Sequence, residues 1–120
     1  MISITDNNEV FIVGGDDNKI HIYLNTGDNF VNDDALIDSI DDINIADITG
    51  DGKWILNIDE SGVVLVYKFN FKIHKYELYQ TITANDGSLE TTAGAITDDH
   101  MWMVFGNSNG YVYIYTFNEN

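Results

Sequence analysis

The sequence predicts an all-β fold made of three consecutive copies of one antiparallel unit, and three observations carry that expectation. The segments that begin at Ser3, Asp47 and Ala95 align without gaps through Tyr23, Tyr67 and Tyr115, a period of 44 and then 48 residues. Ile4, Ile48 and Ile96 coincide, as do Thr5, Thr49 and Thr97; Trp54 matches Trp102, Gly62 matches Gly110, and the Phe-Asn of 69–70 returns at 117–118. Self-similarity at such a period is the mark of a repeat architecture. The apolar runs are short, rich in Val, Ile, Tyr and Phe, and bounded by Gly, Asn and Asp, which suits strands and turns. No segment calls for a substantial helix.

Each unit reads strand, polar turn, strand, turn, strand. Residues 10–13, 54–58 and 102–105 form the first apolar run of each hairpin, and residues 19–24, 63–69 and 111–117 form the second. Between them lie the turns Gly-Gly-Asp-Asp-Asn, Asp-Glu-Ser-Gly and Asn-Ser-Asn-Gly, where Gly62 and Gly110 are placed to take positive φ. The runs are apolar at nearly every position, so both faces of each sheet are expected to be covered. A fourth, outer strand follows each of the first two hairpins. In residues 74–84, alternation puts Tyr76, Leu78, Gln80 and Ile82 on one face and Glu77, Tyr79 and Thr81 on the other. Residues 29–40 carry an acidic run that suits a helical turn as well as a strand. The expected count is eleven strands in a single domain of three units, 1–42, 43–90 and 91–120, the last lacking its outer strand. Tyr111, Tyr113 and Tyr115 share one face of the last strand and are expected to look outward, as an aromatic contact stripe.

The period and the four-stranded grammar resemble WD-repeat β-propellers. The stretch DITGDGKWILNIDESGVVLVY is similar to the centre of that repeat, where an Asp-Gly-Lys turn leads through a strand and an Asp/Ser-Gly turn to a strand closing on an aromatic. The resemblance spans the whole chain and implies propeller-type blades of four antiparallel strands. It also departs from the family pattern. No Gly-His dipeptide precedes a unit, and the closing Trp-Asp is replaced by Tyr23-Leu24, Tyr67-Lys68 and Tyr115-Thr116. The family's buried polar network therefore does not carry over, and the repeat is a divergent one.

Composition narrows the function. The 120 residues hold 20 acids and 5 lysines with no arginine, a formal net charge of −15. Fourteen of the acids precede residue 63, opposed by Lys19 and Lys53 alone. Such a surface repels nucleic acid and anionic lipid. Cysteine and proline are absent, which excludes a disulfide framework and thiol catalysis. No apolar run reaches the roughly 18–20 residues of a membrane-spanning helix, and the first residues lack a signal-peptide pattern. The compartment is extracellular if a leader was removed and cytoplasmic otherwise.

Candidate sites are few. Asp47, Thr49 and Asp51, followed by Gly52, place oxygens at alternate positions as Ca²⁺ loops do, although an Asp-Gly hairpin explains them without an ion. A further carboxylate, required by the calcium hairpins of integrin-type propellers, is replaced by Ile55. The acids Asp33, Asp34, Asp38, Asp41 and Asp42 suit a solvated face or a basic partner. His21, expected between blades, His74 and His100 lack companions at ligand spacing. Ser39, Ser61, Ser88 and Ser108 sit outside any nucleophile-elbow pattern. The expectation is a non-catalytic interaction module without a cofactor, whose partner is a protein or a copy of itself. The alternative is a Ca²⁺-dependent extracellular adhesion module.

Overall fold

The computed structural model describes residues 1–83, 91–99 and 102–116. His100, Ser88 and the Phe-Asn recurrence at 117–118 lie outside them. Eleven strands form three antiparallel sheets. The first holds β1 (Ile2–Ile4), β2 (Val10–Gly14), β3 (Ile20–Asn25) and β4 (Phe30–Leu36) in that order. The second holds β5 (Ile43–Ile48), β6 (Trp54–Asp59), β7 (Val63–Asn70) and β8 (Lys75–Thr83), and the third holds β9 (Thr91–Ile96), β10 (Trp102–Asn107) and β11 (Val112–Thr116). The described residues contain no helix. These are propeller-type blades, and the acidic run that suited a helical turn lies instead on and just after strand β4.

Register confirms the repeat. Tyr23 pairs with Phe11, Tyr67 with Ile55 and Tyr115 with Met103, three equivalent pairs at equivalent strand ends. The recurrent threonine has a structural cause. Thr5, Thr49 and Thr97 each donate their N–H to the carbonyl five residues on, at 3.0 Å in all three blades. Each hydroxyl donates to the residue two ahead, at 2.8 Å to Asn7, 2.7 Å to Asp51 and 2.6 Å to Asp99. The same oxygen accepts the amide of Val10, Trp54 or Trp102. One side chain thus closes the hairpin between the first two strands of every blade. In the next hairpin, Gly62 and Gly110 both take φ +86°, and Asn18 fills the same position of the first blade at +62°. Asparagine tolerates this left-handed conformation better than other non-glycine residues.

Two apolar layers join the blades. Ile12, Ile20, Ile22 and Leu36 of the first blade pack on Ile43, Ile48, Ile55, Leu65 and Tyr67 of the second. Trp54, Leu56, Ile58, Val64 and Val66 on the second blade's other face pack on Ile96, Met103 and Phe105 of the third. Near-continuous apolar runs are the consequence of this two-sided burial, most complete in β6, where all six residues are buried. Polar bridges add to the layers. Ser3 Oγ donates to Asp47 Oδ1 at 3.0 Å and accepts Ile48 N, while Asp47 Oδ2 accepts Ile96 N at 3.1 Å. The equivalent of Ser3 and Asp47 in the third blade is Ala95, which has no acceptor.

The outer strands correct one expectation. A bulge between Val66 and Tyr67 leaves Tyr79 between the pairs Val66–Gln80 and Tyr67–Leu78. The extra residue reverses the alternation, so Tyr76, Leu78, Gln80 and Ile82 do not share a face. Tyr76 packs toward the first blade and Ile82 toward the third. The first blade bulges at the equivalent place, with Asp33 between Ile22–Asp34 and Tyr23–Asn32.

Candidate interaction surface

Among the described residues, the sequence candidates for a metal do not converge. Asp47 spends its two oxygens on neighbouring blades, whereas Thr49 and Asp51 are bonded to each other and Asp51 also accepts Lys53 N at 3.0 Å. A different trio, Asp41, Asp42 and Glu60, brings ligand atoms within 4.8 Å of one another. The acidic run is dispersed. Asp34 lies 3.5 Å from Lys75 Nζ, and Asp38 accepts the Tyr67 hydroxyl at 2.9 Å. Burial, with Asp38 adding to it, holds the Tyr67 phenol far above its ordinary range, and burial does the same to Tyr76, whose hydroxyl donates to the Gly52 carbonyl.

His21 does not face between blades. It lies on the outward side of the first blade, with Nε2 2.7 Å from Asp17 Oδ2. His74 stands in the turn before β8 at φ +55°, edge-on to Phe69. Ser39 bonds the buried carboxylate of Asp59, which also accepts Ser61 Oγ and Val63 N and so fixes its hairpin.

The tyrosine row requires a second correction at two of its three positions, Tyr111 being exposed by 60% as expected. Tyr113 and Tyr115 face the second blade, each stacked on Phe105 with centroids 5.4 Å apart. They repeat the inward direction of Tyr67, the position to which Tyr115 aligns. The outward face is the alternate set, Trp102, Val104, Val112 and Ile114, exposed by 47, 37, 66 and 63%. Their equivalents on the second blade are Trp54, Leu56, Val64 and Val66, none more than 1% exposed. The opposite end of the stack is also apolar. Phe11, stacked on Tyr23 and edge-on to Phe30 at 4.8 Å in each case, forms an aromatic cluster beside the exposed Ile2 and Ile4. Alternation showed which residues share a face; packing against the second blade shows which way that face points.

No family model and no curated protein sequence matches the chain. Its structure is similar to that of Sqt1 of Saccharomyces cerevisiae, a WD-repeat protein, with a TM-score of 0.81 at 21% identity. The match covers 98% of this chain and 31% of that one, so the chain spans about a third of the length of that structure.

Proposed function

We propose that this chain is a non-catalytic protein-interaction module, three WD-like blades (1–42, 43–90 and 91–120) of a larger blade assembly. The observation that carries the reading is the outward face of the third blade. Trp102, Val104, Val112 and Ile114 repeat, position by position, the face that the second blade buries completely. A contiguous apolar face of this kind marks a contact surface, and the second interface within the chain gives the pattern of what covers it, the aromatic face of another blade. The first blade offers such a face in Phe11, Tyr23 and Phe30. Contact between two unlike faces is head-to-tail and closes a ring when the angle permits, and rings remove the edges that open blades expose.

The test is the mass of the 120-residue chain in solution. Sedimentation at rising salt is expected to show assembly that strengthens as the −15 charge is screened. Ile114→Asp is expected to return the chain to a folded monomer. A stable monomer at every salt concentration would overturn the reading.

A further inference from the structure

The faces that the first and second blades turn to the next blade differ at one place, and at that place the first blade borders a cavity. On the face that the second blade turns to the third, the outer part carries Trp54 and the bulge residue Tyr79, edge-on with centroids 5.0 Å apart. Lys68 Nζ lies over both rings, 5.2 Å from the first centroid and 5.8 Å from the second. The equivalents in the first blade are Val10, Asp33 and Leu24. The aromatic pair and its cation are replaced by a small aliphatic, a carboxylate and a leucine, and the same place in the seam between the first and second blades holds a cavity of about 300 Å³ lined by all three.

The opposite wall belongs to the second blade. Tyr76 is held by its hydroxyl on the Gly52 carbonyl and packs edge-on against Phe69, centroids 5.0 Å apart. The rim carries Glu9, Asp33, Asp34 and Asp51 against Lys53 and Lys75. Lys75 is paired with Asp34, and Asp51 accepts the Thr49 hydroxyl and the Lys53 amide. Glu9 and Asp33 make no side-chain hydrogen bond or ion pair among the described residues. The bulge that places Tyr79 over Trp54 places Asp33 at the mouth of this cavity.

From this geometry we propose that the cavity is a binding site for an arginine side chain on an extended segment of a partner protein. At the equivalent positions the second blade sets a cation over aromatic rings. Here the rings of Tyr76 and Phe69 and two unpaired carboxylates are in place, and among the described residues no cation lies over these two rings. A guanidinium stacks on aromatic faces and takes a carboxylate through two N–H donors at once, which suits a cavity that offers both. A pocket of about this volume is at the lower end of those that hold small ligands and accommodates one long side chain. The inference rests on the reading of the chain as an interaction module and names the chemistry of one partner.

The test is fluorescence anisotropy with a labelled Gly-Arg-Gly-Arg-Gly peptide, and with the same peptide carrying citrulline for arginine. The wild-type chain is expected to bind the first and not the second. Asp33→Asn is expected to weaken binding about tenfold, the loss of one charged hydrogen-bond partner, without changing the melting temperature by more than a few degrees. The double variant Val10→Trp, Asp33→Tyr, which rebuilds the neighbouring plug, is expected to abolish binding. Asp16→Asn, an exposed acid at the opposite end of the strands, is expected to bind as wild type. Equal loss in Asp16→Asn and Asp33→Asn, or unchanged binding by Asp33→Asn, would overturn the site in favour of diffuse charge attraction. Mass measured on the same samples separates the two readings: assembly without peptide binding removes this site alone.

Discussion

The hairpin β6–β7 and the hairpin β10–β11 are built alike and placed differently. Both open on a tryptophan whose amide donates to the threonine of the preceding turn, both turn through a glycine at φ +86° and both pair a tyrosine near the strand end with the residue after the tryptophan. Trp54 is buried beneath the third blade and Trp102 is half in solvent. Burial here is a property of the neighbour and not of the hairpin. In stacked repeats, stability divides into a term internal to each unit and a term for each interface, and the two hairpins separate these terms within one molecule.

The largest effect follows directly. Trp54→Ala removes a fully buried indole from the second interface and is expected to cost about 3–5 kcal/mol. Trp102→Ala, measured at a dilution where the chain is monomeric, is expected to cost about 1 kcal/mol or less. Denaturant titrations of the two variants test this, and equal losses would mean that the outward face is already covered in solution.

The internal term should behave in the opposite way. Replacing Gly62 or Gly110 with Val forces a β-branched residue into a left-handed turn and is expected to cost about 2 kcal/mol at either site. A Cβ added at Gly110 meets no atom within 4 Å, so the cost there is chiefly backbone strain. A loss at Gly62 several times that at Gly110, in the same denaturant titration, would show that the turn is coupled to the interface and break the separation of terms.

The repeat, the eleven strands and the glycine turns were legible in the sequence because each rests on local chemistry repeated at a fixed spacing. Ile4-Thr5 and its two copies recur because the threonine closes a hairpin whatever lies beside it. Directions across the sheet were less legible. Tyr111, Tyr113 and Tyr115 alternate plainly, but alternation has no sign, and only the interface shows that the second and third point inward. The cavity was hidden for a further reason. The spacing of 44 that aligns Val10 with Trp54 does not align Asp33 with Tyr79, because the β7–β8 hairpin is two residues longer. The absent plug can be read only once the ladder is known.

A smaller test compares how the same turn is fixed in the first two blades. In the second, the buried carboxylate of Asp59 gathers Ser61 Oγ and Val63 N. Gly15 stands at that position in the first blade, and the turn is fixed instead at the surface, by Asp17 on His21 Nε2 and on Lys19 N at 3.2 Å. The hydrogen bond from His21 is the main reason that the Asp17 carboxyl lies below its ordinary value. A carboxylate depressed in the folded state contributes stability above its unfolded pKa, and that contribution disappears as pH falls through the lower folded value. The effect is therefore present at neutral pH and fades only below the usual carboxylate range, near pH 4. His21→Leu, which installs the residue found at the equivalent position 65, is expected to return the Asp17 titration, followed by carboxyl NMR, toward the ordinary value, with little change in melting temperature at neutral pH because the pair is solvent-exposed. An Asp17 titration that His21→Leu leaves in place would assign the shift to the Lys19 amide, and the turn would then be held by its backbone alone.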